Sequence, residues 1–288
     1  MTTYAITGAT GGLGGRVARH LADRGVPMRL IARDPTRAPK LPGAEVARAS
    51  YDDAEAMKRA LDGVTTLLLV SASEDEDRQS VHRGVVDATV AAGVERVVYT
   101  SFLGAAPDAT FTFARDHWHT EQHLRASGAR FTFLRDNLYL DYLPYMADKH
   151  GVIRGPAGDG RVGAVARDDI GEVAAAVLLE QGDRHDGRTY DLTGPEALSF
   201  HDTAEALSRV SGRTVTYHPE TVEEAYASRA AYGAPDWEVA GWVTSYTAVA
   251  AGELDVVTGA VEQLAGHPPT SLADFLRAHP ESWAHLEL

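Results

Sequence analysis

Two stretches of this chain combine residue types and spacings that can do chemistry. The first runs Thr7-Gly8-Ala9-Thr10-Gly11-Gly12-Leu13-Gly14, with glycines spaced Gly8-x-x-Gly11-x-x-Gly14. It lies between a short apolar run, residues 4–6, and a helical pattern that carries Val17, Leu21 and Ala22. Glycines at such a turn accept positive φ and let a ligand approach the backbone closely. The amides that open the following helix, with its dipole, suit a pyrophosphate. No Lys-Ser/Thr follows the glycines, which excludes a nucleoside-triphosphatase P-loop. The second stretch is Phe113-Ala114-Arg115-Asp116-His117-Trp118-His119-Thr120-Glu121. Phe113, His117 and Glu121 recur every four residues and share one helical face. A zinc site from His117, His119 and His123 fails, because at 100° per residue His117 lies about 200° from His119. No metal site is expected, and the absence of G-x-S-x-G argues against a serine hydrolase.

The glycine stretch resembles that of the extended and atypical short-chain dehydrogenase/reductase superfamily. Within it the chain is most similar to the NmrA-like branch, which includes type 2 NADPH-quinone oxidoreductases and triphenylmethane reductases. The closing segment, residues 266–276, also resembles the end of this family's chain. In most short-chain reductases a Tyr-x-x-x-Lys pair supplies the proton and holds the nicotinamide ribose, often with a glutamate four residues after the lysine. Aligning Glu121 with that glutamate puts His117 at the lysine and Phe113 at the tyrosine, so the usual proton donor is missing. The resemblance therefore implies hydride transfer from a reduced nicotinamide to a quinone or similar conjugated acceptor. Hydride addition to a simple ketone leaves a strongly basic alkoxide and calls for a placed acid, worth ~10²–10⁴-fold. Addition to a quinone leaves a phenolate-type anion, whose conjugate acid has a pKa near a tyrosine's ~10. The alternatives are an NADP(H)-binding redox sensor without turnover, and a pathway-specific carbonyl or imine reductase.

These residues need a scaffold. Strands are expected at 28–32, 44–47, 64–70, 94–99, 131–135 and 189–194, with a helix over about 78–92. The alternation implies a Rossmann-type doubly wound parallel sheet of the α/β class, with a smaller C-terminal substrate lobe. We place the NAD(P)-binding domain at 1–135 with return strands about 163–196, and the lobe at 136–162 and 197–288. Helices are expected in the lobe near 200–211 and 220–232, followed by a Trp237, Trp242 and Tyr246 cluster; residues 281–288 are expected to fray. Arg33 ends the second strand, where an arginine accommodates a 2′-phosphate and an acid selects NAD. Asp34 is read as a turn residue because Pro35 follows, so the cofactor is NADPH (NADP). Ser71, Ala72 and Ser73 follow the fourth strand, and Thr100, Ser101 and Phe102 the fifth, at the carboxyl edge where open α/β sheets bind ligands. The acidic run 74–77 reads as a solvated helix start. Cofactor contacts are thus expected from Gly8, Thr10, Gly11, Gly12, Leu13, Gly14, Arg33, Ser71, Ala72, Ser73, Thr100, Ser101, Phe102, His117 and Asn137. Catalytic roles fall to His117, Asn137 and Tyr139, with the acceptor near Phe102, Asn137, Tyr139 and Tyr142.

Composition narrows the partners. The chain has 288 residues, no cysteine and a net charge of −14 from 27 basic and 41 acidic residues. Such a surface repels nucleic acid and acidic lipid, and no apolar run approaches the ~18 residues of a membrane span. No signal peptide is expected, because Met1-Thr2-Thr3 leads straight into the first strand. The expectation is a cytoplasmic monomer or homodimer that takes a small aromatic or quinone-like molecule, with no nucleic-acid or membrane partner.

Overall fold

The computed structural model describes residues 3–286. The strands β1 (Tyr4–Ile6), β2 (Met28–Ala32), β3 (Ala44–Arg48), β4 (Thr66–Leu69), β5 (Arg96–Phe102), β6 (Arg130–Asp136) and β9 (Arg188–Leu192) form one seven-stranded sheet in the order β3-β2-β1-β4-β5-β6-β9. Between β1 and β5 every pairing is parallel. The order reverses beside β1, where the first glycine turn leaves the sheet; open α/β sheets bind ligands at such a reversal. The helices between strands are α1 (Gly12–Asp23), α2 (Ala54–Ala60), α3 (Arg78–Ala91), α4 (Thr112–Ala126) and α5 (Arg167–Leu179). This is the expected Rossmann-type architecture.

The chain divides into two compact units: residues 1–105, 116–135 and 167–190, and residues 106–115, 136–166 and 191–288. In the first, Met57, Leu61, Leu67, Val85, Tyr99 and Phe133 belong to one buried cluster. On α5, Gly171 permits close packing, since a Cβ there would come 3.1 Å from the Arg16 Cβ of α1. The strand limits differ from expectation for local reasons. β4 stops at Leu69 because the Val70 amide donates to the Thr7 hydroxyl rather than to a strand. β5 starts late because the Val94 amide closes the end of α3 on the Thr89 carbonyl.

In the second unit, α6 (Phe200–Ser211) and α7 (Val222–Arg229) open on reciprocal caps, Ser199 with Asp202 and Thr221 with Glu224, which stabilise a first helical turn. Short strands β7 (Val152–Gly155), β8 (Arg161–Val162), β10 (Leu198–Ser199) and β11 (Thr216–Pro219) pair β7 with β11 and β8 with β10. None has the length to show a periodic signal, so sequence reading missed them. The Trp237, Trp242 and Tyr246 cluster resolves into one helix, α8 (Asp236–Ala250), whose rings reach different partners: Phe113, Tyr232 and Phe200. Residues 106–115 join this unit because Phe113 packs on α8; a Cβ at Gly241 would overlap its ring. Helices α9 (Ala260–Ala265) and α10 (Leu272–Ala278) precede turns at 280–282 and 284–286. Of the tail expected to fray, residues 287–288 lie outside the described residues.

Candidate cofactor and catalytic site

The first unit carries a cleft of about 480 Å³ lined by residues 8–14 except Ala9, by Arg33 and Arg37, by residues 49–52, and by the loop Val70–Asp75 with Arg78 and Val81. That volume is within the range of small-ligand sites. Its phosphate end is built by backbone. Gly8 takes φ +62°, and the Gly11 amide closes the turn on the Gly8 carbonyl at 2.9 Å. A Cβ on Gly14 would overlap the Gly8 carbonyl oxygen, so only glycine lets the helix follow this closely. The first turn of α1 contains no acidic residue, and its opening amides have no intrahelical acceptor. Arg16 and Arg167 stand over Gly12. A dinucleotide's pyrophosphate fits this donor set.

At the other end, Arg33 and Arg37 are exposed and line the cleft. Asp34 does not compete with them for a ribose. Its carboxylate caps the following turn, accepting from the Thr36 amide at 3.0 Å and the Thr36 hydroxyl at 2.6 Å, which holds its pKa below the usual range. Asp53 caps α2 by accepting from the Ala56 amide, which leaves Ser50 and Asp52 in the cleft wall.

Behind the loop 71–73 lies a buried polar network that links α3, β5 and α4. The Arg78 side chain is 3% exposed. Its Nε donates to the Ala72 carbonyl at 3.1 Å and its Nη2 lies 3.2 Å from His117 Nε2. A guanidinium can only donate, so His117 Nε2 accepts and Nδ1 carries the proton, donating to the Tyr99 hydroxyl at 2.9 Å. His82 repeats the pattern: Nε2 accepts from the Ala72 amide at 2.9 Å, and Nδ1 donates to Thr120 Oγ1 at 2.8 Å. Burial, then the Arg78 charge, lowers both imidazoles, His82 to about 3 and His117 well below its ordinary value. Both rings are neutral in the physiological range. Deeper still, Glu121 is fully buried; it accepts two bonds from Arg135, at 2.8 and 2.7 Å, and one from the Ser101 hydroxyl at 2.6 Å.

The residues expected to bind cofactor therefore fall into two groups. Gly8, Thr10, Gly11, Gly12, Leu13, Gly14, Arg33, Ser71, Ala72 and Ser73 line one cleft. Thr100 is buried and accepts from the Ser71 amide at 2.9 Å; the Ser101 hydroxyl goes to Glu121. Phe102 lies 6.2 Å from the His117 ring, centroid to centroid. His117 has both nitrogens bonded within the protein. Asn137, fully buried in the second unit, donates from Nδ2 to the Leu254 carbonyl at 3.1 Å and accepts at Oδ1 from the Leu138 amide at 2.8 Å. Tyr139 donates to Asp136 and pairs with the Tyr142 ring at 5.8 Å. Sequence reading missed Arg78 and Tyr51; an arginine after four acidic residues reads as a solvated charge, and only its burial shows otherwise. Among the described residues no cluster of His, Asp and Glu could hold a metal ion, and no helix is long and apolar enough to cross a membrane.

Comparison with known proteins agrees with this geometry. An NAD(P)H-binding family model matches residues 8–181. Quinone oxidoreductase 2 of Escherichia coli is 36% identical over 94% of this chain and 96% of its own; the crystal structure of that enzyme with NADPH superposes with a TM-score of 0.88 over 96% of this chain and 99% of its own. A Streptomyces griseus (4-alkanoyl-5-oxo-2,5-dihydrofuran-3-yl)methyl phosphate reductase is 35% identical over 97% of this chain and 98% of its own. Citrobacter triphenylmethane reductase with NADP(H) gives a TM-score of 0.85 at 31% identity, covering 96% and 99% of the two chains. The chain belongs to the NAD(P)H-binding family of Rossmann-type, NmrA-like oxidoreductases.

Proposed function

We propose that the chain is an NADPH-dependent reductase that transfers hydride to a quinone or similar conjugated acceptor without a Tyr-x-x-x-Lys pair. When bound, the cofactor supplies the hydride. Residues 11–14 hold its pyrophosphate, Arg33 and Arg37 its 2′-phosphate, and residues 71–73 the wall along which it lies. What supports the reading is on α4: the alignment through Glu121 puts Phe113 at the tyrosine's place and His117 at the lysine's, and His117 is a neutral ring already bonded to Tyr99 and Arg78. A neutral His117 supplies no positive charge to acidify a phenol. Such a site suits an acceptor that stabilises the incoming electron pair by delocalisation, and the protein works chiefly by positioning it. The relatives' named substrates, a quinone, a triphenylmethane dye and an oxo-dihydrofuran bearing an alkanoyl group, share that conjugation.

The test is turnover. With excess NADPH and a panel of quinones, azo compounds and cationic dyes, many equivalents of NADPH per protein should be oxidised. Tight NADPH binding with no oxidation by any acceptor would identify a nucleotide-sensing protein instead.

A further inference from the structure

The cleft of the first unit has a buried cation in its wall to which the reading above gives no role. Arg78 lines the cleft, yet its side chain is almost wholly buried. Two of its nitrogens are engaged, Nε by the Ala72 carbonyl and Nη2 by His117. Nη1 is buried without a hydrogen-bond partner. The carboxylate it faces, Asp116 Oδ2, stands 3.8 Å away, beyond hydrogen-bonding reach, and Asp116 Oδ1 accepts from Gln79 at 2.8 Å. The other ionisable groups nearby do not cancel the charge. His82 and His117 are neutral. Glu121 is paired with Arg135. Glu74 and Asp75, which also line the cleft, are exposed, where water and salt screen them. A guanidinium stays protonated in such a place. The wall at residues 70–75 therefore has a positive charge set behind it that Asp116 offsets only in part.

The sheet order decides which part of a dinucleotide meets this charge. Strands β2 and β3 lie on one side of β1, and β4 and β5 on the other. With the pyrophosphate on the glycine turn after β1 and the adenosine beside Arg33 after β2, the nicotinamide half is left the carboxyl ends of β4 and β5, along the wall that Arg78 backs. We propose that Arg78 is a specificity-determining residue whose charge makes the cleft hold NADPH more tightly than NADP⁺. This rests on the cofactor placement in the reading above and adds selection of the cofactor's redox state. The dihydropyridine ring of NADPH is uncharged. When hydride leaves with its electron pair for the acceptor, the ring becomes a pyridinium, and the like charge behind the wall opposes it. In a partly buried site, unit charges ~10 Å apart at an effective dielectric constant of ~20 shift a dissociation constant roughly tenfold. Spent cofactor is thus released in favour of fresh NADPH.

The experiment measures dissociation constants for NADPH and NADP⁺ with no acceptor present, at pH 8 so that both imidazoles stay neutral in every variant. The quantity read is the ratio of the two constants. A variant that merely loosens the wall weakens both cofactors and leaves their ratio unchanged. The unmutated protein should favour NADPH roughly tenfold. Arg78→Leu should bring the ratio close to one, whereas Arg78→Lys, which keeps a cation, should retain most of it. Asp116→Asn removes the partly offsetting carboxylate and should widen the ratio, which tests the proposal even where Arg78→Leu does not fold. Equal affinities in the unmutated protein, an undiminished ratio in Arg78→Leu, or an Asp116→Asn ratio no larger than the unmutated one would overturn the proposal while the cofactor site stands. An unmutated protein that binds neither nucleotide would overturn the cofactor placement as well.

Discussion

The two walls of the cofactor cleft are made by opposite means. The glycine turn uses backbone: Gly8 supplies a left-handed φ, Gly14 an absent Cβ, and the helix start its amides. The wall at residues 71–73 is held from behind by side chains, with Arg78 and His82 gripping the Ala72 carbonyl and amide and His117 and Tyr99 closing the chain of bonds. The first wall tolerates any side chain that does not intrude. The second is a buried polar network in which removing one member strands the others.

That contrast is broken most sharply at Gly14. In Gly14→Ala the new methyl meets the Gly8 backbone, which no rotamer change relieves; the expected cost is roughly 3 kcal/mol of stability with loss of NADPH binding. Gly11→Ala, whose Cβ would lie 3.2 Å from the same oxygen, should cost less. Urea unfolding with and without NADPH measures both, and equal effects would undo the assignment of the tight contact to Gly14. On the opposite wall, Arg78→Leu leaves the Ala72 carbonyl and His117 Nε2 without their donor and should cost about 2 kcal/mol. The His117 imidazole should titrate at higher pH in this variant, because the neighbouring positive charge is gone; NMR of the ring proton reads that shift.

At the adenosine end, Arg33→Ala should narrow the preference for NADPH over NADH by about 1.5 kcal/mol, roughly tenfold in Kd. Unmutated protein that binds the two cofactors equally would remove the 2′-phosphate reading. The network also sets an acid limit. His82 and His117 have folded pKa values below their unfolded one near 6.5, so the unfolded state takes up protons first. Stability is then intact above pH 6.5 and falls as pH drops, by about 1.4 kcal/mol per pH unit for each ring, continuing for His82 down to about pH 3. Urea midpoints from pH 7 to 4.5 check the slope, and His82→Asn should flatten it.

Legibility in the sequence followed the same division. The glycine turn announced itself because its chemistry is local: residue type, spacing, and position between a strand and a helix. The alternation of apolar strands with helices gave the sheet, and Pro35 after Asp34 gave the turn that removes a competing acid. His117 was singled out through Glu121, but its environment was not legible. Both of its hydrogen-bond partners, Tyr99 and Arg78, come from distant segments, and nothing in an Arg after four acids signals burial. The short strands of the second unit exist through their pairing alone.

The central proposal is that α4 carries no Tyr-x-x-x-Lys pair and that the acceptor is an activated, conjugated one. One measurement tests it directly: kcat/KM for NADPH oxidation by a benzoquinone and by a plain aliphatic ketone, on the same preparation between pH 6 and 8. The account predicts a quinone preference of roughly 10²-fold or more and, since His117 stays neutral throughout, a nearly flat quinone rate over that range. A preference for the ketone, with a rate that rises and falls on a titrating group, would contradict it.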